Sequence, residues 1–234
     1  MKKARPVQRV ATFLQGFSSK PRSNISNWKN LQEGGYFENH PCYGAFSIVG
    51  GEFDAAKIAE FFKLQAHHIV VNVGCGYGRE ALHIAPKVRH VYGIDVSGTV
   101  LKKTVAFLAE NGVSNFTPVE AERYRSEIPD RIDFVYCIVV MQHLTRDLAR
   151  DYIKTLGERL APDGRMLIQF IHELFDGVED ADAILSDHEP SISWTLPQLV
   201  QMTRECRVEI EEVRSLVATP TCLWHWAFLK KAAT

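Results

Sequence analysis

The chain alternates between short apolar runs and longer stretches in which apolar residues recur at helical spacing. Ile69-Val70-Val71-Asn72-Val73 is a near-unbroken β-prone run, the signature of a strand covered on both faces. His90 to Ile94 and Asn115 to Val119 follow, then Ile132 to Val140, longer and centrally buried, and Arg165 to Ile171. Two late runs, near Val208–Val213 and Cys222–Leu229, complete the set. Between them lie amphipathic segments with recognisable ends. Asp54 caps a segment with Ile58, Phe61 and Phe62 on one face, and Ser97 one whose stripe is Val100, Leu101, Val105 and Leu108, stopped by Asn111-Gly112. Thr145 opens a helix carrying Leu148, Tyr152, Ile153, Leu156 and Leu160, and Thr195-Leu196-Pro197-Gln198 is a capping box. Strands alternating with helices predict an α/β sheet.

The first strand runs straight into Gly74-Cys75-Gly76-Tyr77-Gly78-Arg79, and a helix is predicted over roughly 79–84. Glycine admits positive φ and lets a ligand approach the backbone with no Cβ in the way. The spacing is G-x-G-x-G. A dinucleotide fingerprint would place its third glycine at 79, where Arg79 stands. The second strand ends at Asp95, where a carboxylate can accept both hydroxyls of a ribose.

The runs V-N-V-G-C-G-Y-G and V-Y-G-I-D-V-S resemble the first two motifs of class I S-adenosylmethionine (SAM)-dependent methyltransferases of the small-molecule type. The resemblance covers roughly residues 54–230. It implies a Rossmann-like sheet of seven strands with helices on both faces, the last strand antiparallel between its neighbours. It implies SAM as cofactor and S-adenosylhomocysteine as product. By the same resemblance Gly74, Cys75 and Gly76 present backbone to the methionyl part and adenosine, Asp95 takes the ribose, and Val96 packs on the adenine. Glu120 falls where the family has an acid for the adenine amino group, with the Ala121 backbone beside it. Cys137 and Ile138 lie where the fourth strand ends beneath the methionyl group. One position departs from the pattern: Asn72 stands where the family usually has an acid, two residues before the first glycine. A neutral amide gives less to an ammonium group than a carboxylate does.

Composition adds limits. With 234 residues, 46% hydrophobic and 24% charged, the chain has enough apolar material for one domain with a proper core. No apolar run approaches the roughly 20 residues that span a bilayer, so no membrane partner is expected. A net charge of −1 gives no global attraction to nucleic acid. The charge is uneven, though: Lys2, Lys3, Arg5, Arg9, Lys20 and Arg22 all precede the first acid, Glu33. Val10 to Leu14 is too short for a secretory h-region, and five cysteines with no close pair suit a reducing compartment. A cytoplasmic protein is expected. Residues 1–50 are read as an N-terminal arm (mobile over 1–30) and covering loop for the substrate, and 51–234 as the methyltransferase domain.

The methyl acceptor is less legible. His143, in the loop after the fourth strand, faces the crevice at the carboxyl edge of the sheet. Histidine, with a pKa near neutral, suits the deprotonation of a hydroxyl; equally, it could serve only the helix opening at Thr145. His172 and Glu173, after the fifth strand, are the other catalytic candidates. Tyr36, Tyr43 and Trp194 could wall the acceptor's pocket, and the acid-rich stretch 172–190 could be a lid for a cationic acceptor or a plain surface loop. The chain lacks the Asn/Asp-Pro-Pro-aromatic run of amino-methylating DNA enzymes, the Pro-Cys of base-carbon enzymes, and the glutamate pair of arginine methyltransferases. Its histidines lack zinc-ligand spacing, and no metal is expected. The expected function is therefore methyl transfer from SAM to an oxygen or nitrogen of a small molecule or sugar. Two alternatives stay open: an RNA-modifying enzyme using the basic arm, and a SAM-binding protein without turnover.

Overall fold

The computed structural model describes residues 24–36, 43–174 and 192–232; side chains are described from 25 to 36 and from 51 onward within these ranges. Seven strands form one sheet: β1 (Ile69–Val73), β2 (His90–Asp95), β3 (Phe116–Glu120), β4 (Ile132–Cys137), β5 (Leu160–Glu173), β6 (Val208–Thr219) and β7 (Cys222–Lys231). Their order is β3-β2-β1-β4-β5-β7-β6. The first five are parallel, and β7 is antiparallel to both β5 and β6. This is the expected Rossmann-like sheet, with its antiparallel last strand between two neighbours. The chain winds outward from β1 to β3 and returns to β4 on the other side. The crevice at the carboxyl ends of β1 and β4 is therefore the topological switch point, where open α/β sheets bind ligands.

Helices cover both faces. On one, α2 (Tyr43–Phe62) packs Ala55, Ile58 and Phe62 over Val70, Val91, Phe134, Tyr136 and Leu167. On the other, α6 (Arg146–Arg159) and α7 (Leu196–Glu205) cover Val71, Val135, Ile168 and Phe170 with Tyr152, Ile153, Leu156, Leu199 and Met202. The intervening helices are α1 (Asn24–Glu33), α3 (Ala81–Ile84), α4 (Gly98–Glu110) and α5 (Tyr124–Glu127). The caps fall as expected: Ser97, Thr145 and Thr195 each accept from a backbone N–H, and Thr195 with Gln198 completes a capping box.

Several elements differ from the sequence expectation for identifiable reasons. The Asp54 segment does not begin at Asp54; α2 starts at Tyr43, and Asp54 lies within it, paired to Arg79 at 3.1 Å. The division expected at 50/51 thus falls inside a continuous helix. Within 1–30, residues 24–30 begin α1 rather than a mobile arm; Ile25, Trp28 and Gln32 share one face of it at helical spacing. The arm before residue 24 lies outside the described residues. In α4 the buried stripe is Val100, Leu101, Thr104 and Leu108, and Val105 is exposed. Thr104 takes that place because its hydroxyl donates to Gly76 O at 2.5 Å, which satisfies it in the interior. β4 stops at Cys137 instead of Val140. Two residues on, Val139 takes φ +58°, held by its N–H donating to Gln169 Oε1 at 2.8 Å. A β-branched residue in the left-handed region is strained, and here it turns the chain into the crevice.

Candidate active site

The glycine loop is built from backbone. Gly74 N and Cys75 N donate to Ile94 O at 2.8 and 2.9 Å, which ties the end of β1 to the end of β2. Gly74 has φ +71°, and a Cβ there would meet Val140 Cγ2 at 2.2 Å. That position has room for glycine only, because the turn after β4 closes directly onto it.

Asp95 ends β2 beneath this loop, nearly inaccessible. Its Oδ2 accepts from Gly76 N at 2.9 Å and its Oδ1 from Ser97 N at 3.2 Å. Gln32, reaching down from α1, adds a side-chain hydrogen bond. Burial raises the Asp95 carboxyl above the ordinary aspartate value, and the Gly76 and Ser97 N–H groups, Gln32 and Val96 pull it back. The carboxylate is thus fixed in place rather than free to rotate.

Loop, strand ends and α1 enclose a cavity of about 310 Å³. Its wall includes Gly74, Cys75, Gly76, Asp95, Val96, Ala121 and Ile138, all expected for the cofactor, together with His143 and Tyr36. Four expected residues at or near the strand ends stand differently. Asn72 is buried behind the wall, its Oδ1 without a hydrogen-bond partner. Cys137 is also wholly buried, and burial pushes its thiol far above the ordinary cysteine value. Glu120 is not in the cavity wall; its half-exposed carboxylate lies beside Gly98 at the start of α4, 3.8 Å from Arg123. Trp194 is a core residue, packed on Phe170 with the Arg146 guanidinium 4.3 Å from its ring. Its backbone N–H donates to Ile171 O, which pins it beside β5. Tyr43 opens α2, and its side chain lies outside the described residues, as does most of the acid-rich stretch 172–190.

The catalytic candidates separate by position. His143 closes a 3-10 turn after β4 and lies against Trp28, ring centroids 3.9 Å apart. His172 and Glu173 are not in the cavity wall. β5 continues its ladder with β7 through both residues, and His172 Nδ1 lies 3.1 Å from His225 Nε2. His225 in turn meets Ser215 Oγ at 2.8 Å. Pairing to β7 therefore holds His172 against the neighbouring strand, away from the crevice.

Residues that the sequence reading passed over also line the cavity: Ile25, Trp28 and Gln32 from α1, Arg79 and Glu80 after the glycine loop, and Tyr152 from α6. The spacing of Ile25, Trp28 and Gln32 was the available signal for α1. Nothing local marks Tyr152 or Glu80 as cavity residues.

A glycine cradle that a Cβ would fill, a fixed carboxylate at the second strand end and an apolar slot of Val96, Ala121 and Ile138 fit a nucleoside joined to a compact polar tail. Fold and crevice are those of class I SAM-dependent methyltransferases. Residues 70–164 match the methyltransferase domain family model. A ubiquinone biosynthesis O-methyltransferase of Rickettsia conorii is 26% identical over 161 residues, 64% of this chain and 54% of that protein. The chain thus matches about half the length of that curated relative. Magnesium protoporphyrin IX methyltransferase from Synechocystis, solved with bound SAM, superposes with a TM-score of 0.66 at 14% identity, over 92% of this chain and all of that one. A Burkholderia thailandensis 1,6-didemethyltoxoflavin-N1-methyltransferase with bound S-adenosylhomocysteine gives 0.67 at 14% identity, over 94% of each chain. At these identities the solved structures speak for the fold. Among the described residues no helix is long and apolar enough to cross a membrane.

Proposed function

We propose that the protein methylates a hydroxyl oxygen of a small, planar molecule, with SAM as methyl donor and His143 as general base. The observation that carries the reading is His143 in the cavity wall, its ring packed at a tilt against Trp28. The relative named for O-methylation points the same way.

When bound, SAM supplies an electrophilic methyl group on a positively charged sulfur. Gly74, Cys75 and Gly76 would hold it through backbone, Asp95 through the ribose, and Val96 and Ala121 along the adenine. The rest of the task is to position an acceptor and free its lone pair. Trp28 and Tyr36 offer aromatic faces on which a flat acceptor stacks. Ile25, Val140 and Leu144 keep water from its reacting edge. The imidazole of His143 takes the hydroxyl proton as the new bond forms, which an alcohol or phenol needs and a neutral amine does not.

The test uses a panel of phenols and amines with labelled SAM, on wild type and His143→Ala. For a hydroxyl acceptor the variant should turn over about 10²–10⁴-fold more slowly, with S-adenosylhomocysteine affinity little changed. A full-speed variant on a hydroxyl substrate would remove His143 from the mechanism. Turnover of amines alone, insensitive to the substitution, would assign the enzyme to nitrogen instead.

A further inference from the structure

Asp95 holds more donors than a carboxylate awaiting a ligand needs. Gly76 N reaches Oδ2 at 2.9 Å and Ser97 N reaches Oδ1 at 3.2 Å. The Val96 backbone and the Gln32 side chain add two further hydrogen bonds. A carboxylate offers about four lone-pair positions, and here they are filled. A ribose brings two hydroxyl donors of its own to the same group, so a resident donor has to leave.

The backbone donors are locked. Gly76 sits in a loop tied to β2 through Gly74 N and Cys75 N on Ile94 O, and its own carbonyl accepts from Thr104. Val96 and Ser97 form the turn from β2 into α4, where Ser97 caps the helix. Gln32 differs, because it reaches Asp95 from α1 on a flexible side chain. It lines the cavity and is only 8% exposed, yet its Oε1 has no hydrogen-bond partner. A buried amide satisfied at one end only gains by moving to water.

α1 is lightly held as a whole. It has ten residues, no acid in its first turn and no base in its last, and a helix so short is marginal without docking. Its polar foothold in the crevice is Gln32 on Asp95. Its aromatic one is Trp28, whose ring lies 3.9 Å from that of His143 on the acceptor side.

We propose that Gln32 is a latch: it stands in for a ribose hydroxyl on Asp95, holds α1 across the crevice, and is displaced when the methyl donor's nucleoside binds. The proposal rests on SAM being the methyl donor. Measured affinity is then the intrinsic affinity scaled down by the fraction of molecules that are unlatched. Removing the latch should strengthen binding, whereas removing a ligand contact would weaken it.

The experiment titrates S-adenosylhomocysteine into wild type and Gln32→Met by calorimetry, with association rates from stopped-flow tryptophan fluorescence. Methionine keeps the length and apolar packing of the side chain and removes the donor. The variant should bind roughly 3–30-fold more tightly, mainly through faster association. Weaker binding would make Gln32 a ligand contact and overturn the proposal, and unchanged binding would overturn it as well. A wild type that binds no S-adenosylhomocysteine would remove the SAM reading itself, and the proposal with it.

A second measurement needs no variant. Hydrogen exchange of the α1 amides reads how often that helix opens. The probe is 5′-methylthioadenosine, which carries ribose and adenine without the amino-acid end. At saturation it should speed exchange over Asn24–Glu33 about 3–10-fold against the free protein. Slower exchange would show α1 closing onto the nucleoside, and unchanged exchange a helix indifferent to it; either result overturns the proposal.

Discussion

The two walls of the crevice are made of different materials. One consists of main chain: the left-handed glycines Gly74 and Gly76, the ends of β1, β2 and β4, and a carboxylate held by backbone N–H groups. The other consists of side chains: Ile25, Trp28, Gln32 and Tyr36 projected from the N-terminal helical segment, with His143 and Tyr152 facing them. Main chain anchored in a parallel sheet is rigid and tolerant of side-chain change, so it suits a ligand common to a whole class. Side chains on a separate helix can vary without disturbing the sheet, which is where acceptor specificity belongs. The walls are not independent, because Gln32 of the second hydrogen-bonds Asp95 of the first. The position of α1 and the Asp95 carboxylate are thereby linked.

The sharpest way to break this comparison is at the glycine cradle. Gly74→Ala forces a Cβ onto Val140 in a left-handed backbone, and should cost about 2–4 kcal/mol of stability from overpacking and strain together. Thermal unfolding and S-adenosylhomocysteine titration should both register it. A variant with wild-type stability would show that the Val140 turn yields and that the main-chain wall is softer than described.

Asp95→Ala comes next. Losing a charged acceptor for the ribose should weaken S-adenosylhomocysteine by about 1–3 kcal/mol. The net effect is moderated because the native carboxylate also has to be prised from Gln32. Calorimetry reads this directly, and unchanged affinity would move the ribose elsewhere.

Trp28→Ala sharpens the comparison from the other side and has the smallest expected effect. It removes the ring packed against His143, and should cost about 0.5–1.5 kcal/mol in acceptor binding, seen as a raised KM with S-adenosylhomocysteine affinity nearly constant. If cofactor affinity falls as much as acceptor affinity, the two walls act as one and the division is wrong.

Much of the main-chain wall was legible in the sequence because its signals are local. Strand, glycine spacing and the acid one strand later sit within about 25 residues, and each is dictated by backbone geometry that few residues satisfy. That is why Gly74, Asp95 and Ala121 stand together as the motifs implied. Glu120 shows the limit: the motif named the strand end, but the turn that follows it puts Ala121, not Glu120, in the cavity wall. His172 and Trp194 show another. Each sits at the rim in sequence terms, yet β7, from the far end of the chain, pairs with β5 and draws His172 to His225, while Trp194 fills the core against Phe170.

By itself the sequence determined the alternating order of strands and helices, the caps at Ser97, Thr145 and Thr195, and a glycine-rich loop after the first strand. These follow from periodicity and from residues with few conformational options. Only the tertiary structure decided that α1 covers the crevice, that Trp28 meets His143, and that Glu80 lies buried beside Arg79 rather than on a helix surface. Those contacts join segments separated by up to 115 residues, Trp28 to His143. Their energy comes from burial, which no local pattern specifies until the sheet has brought the surfaces together.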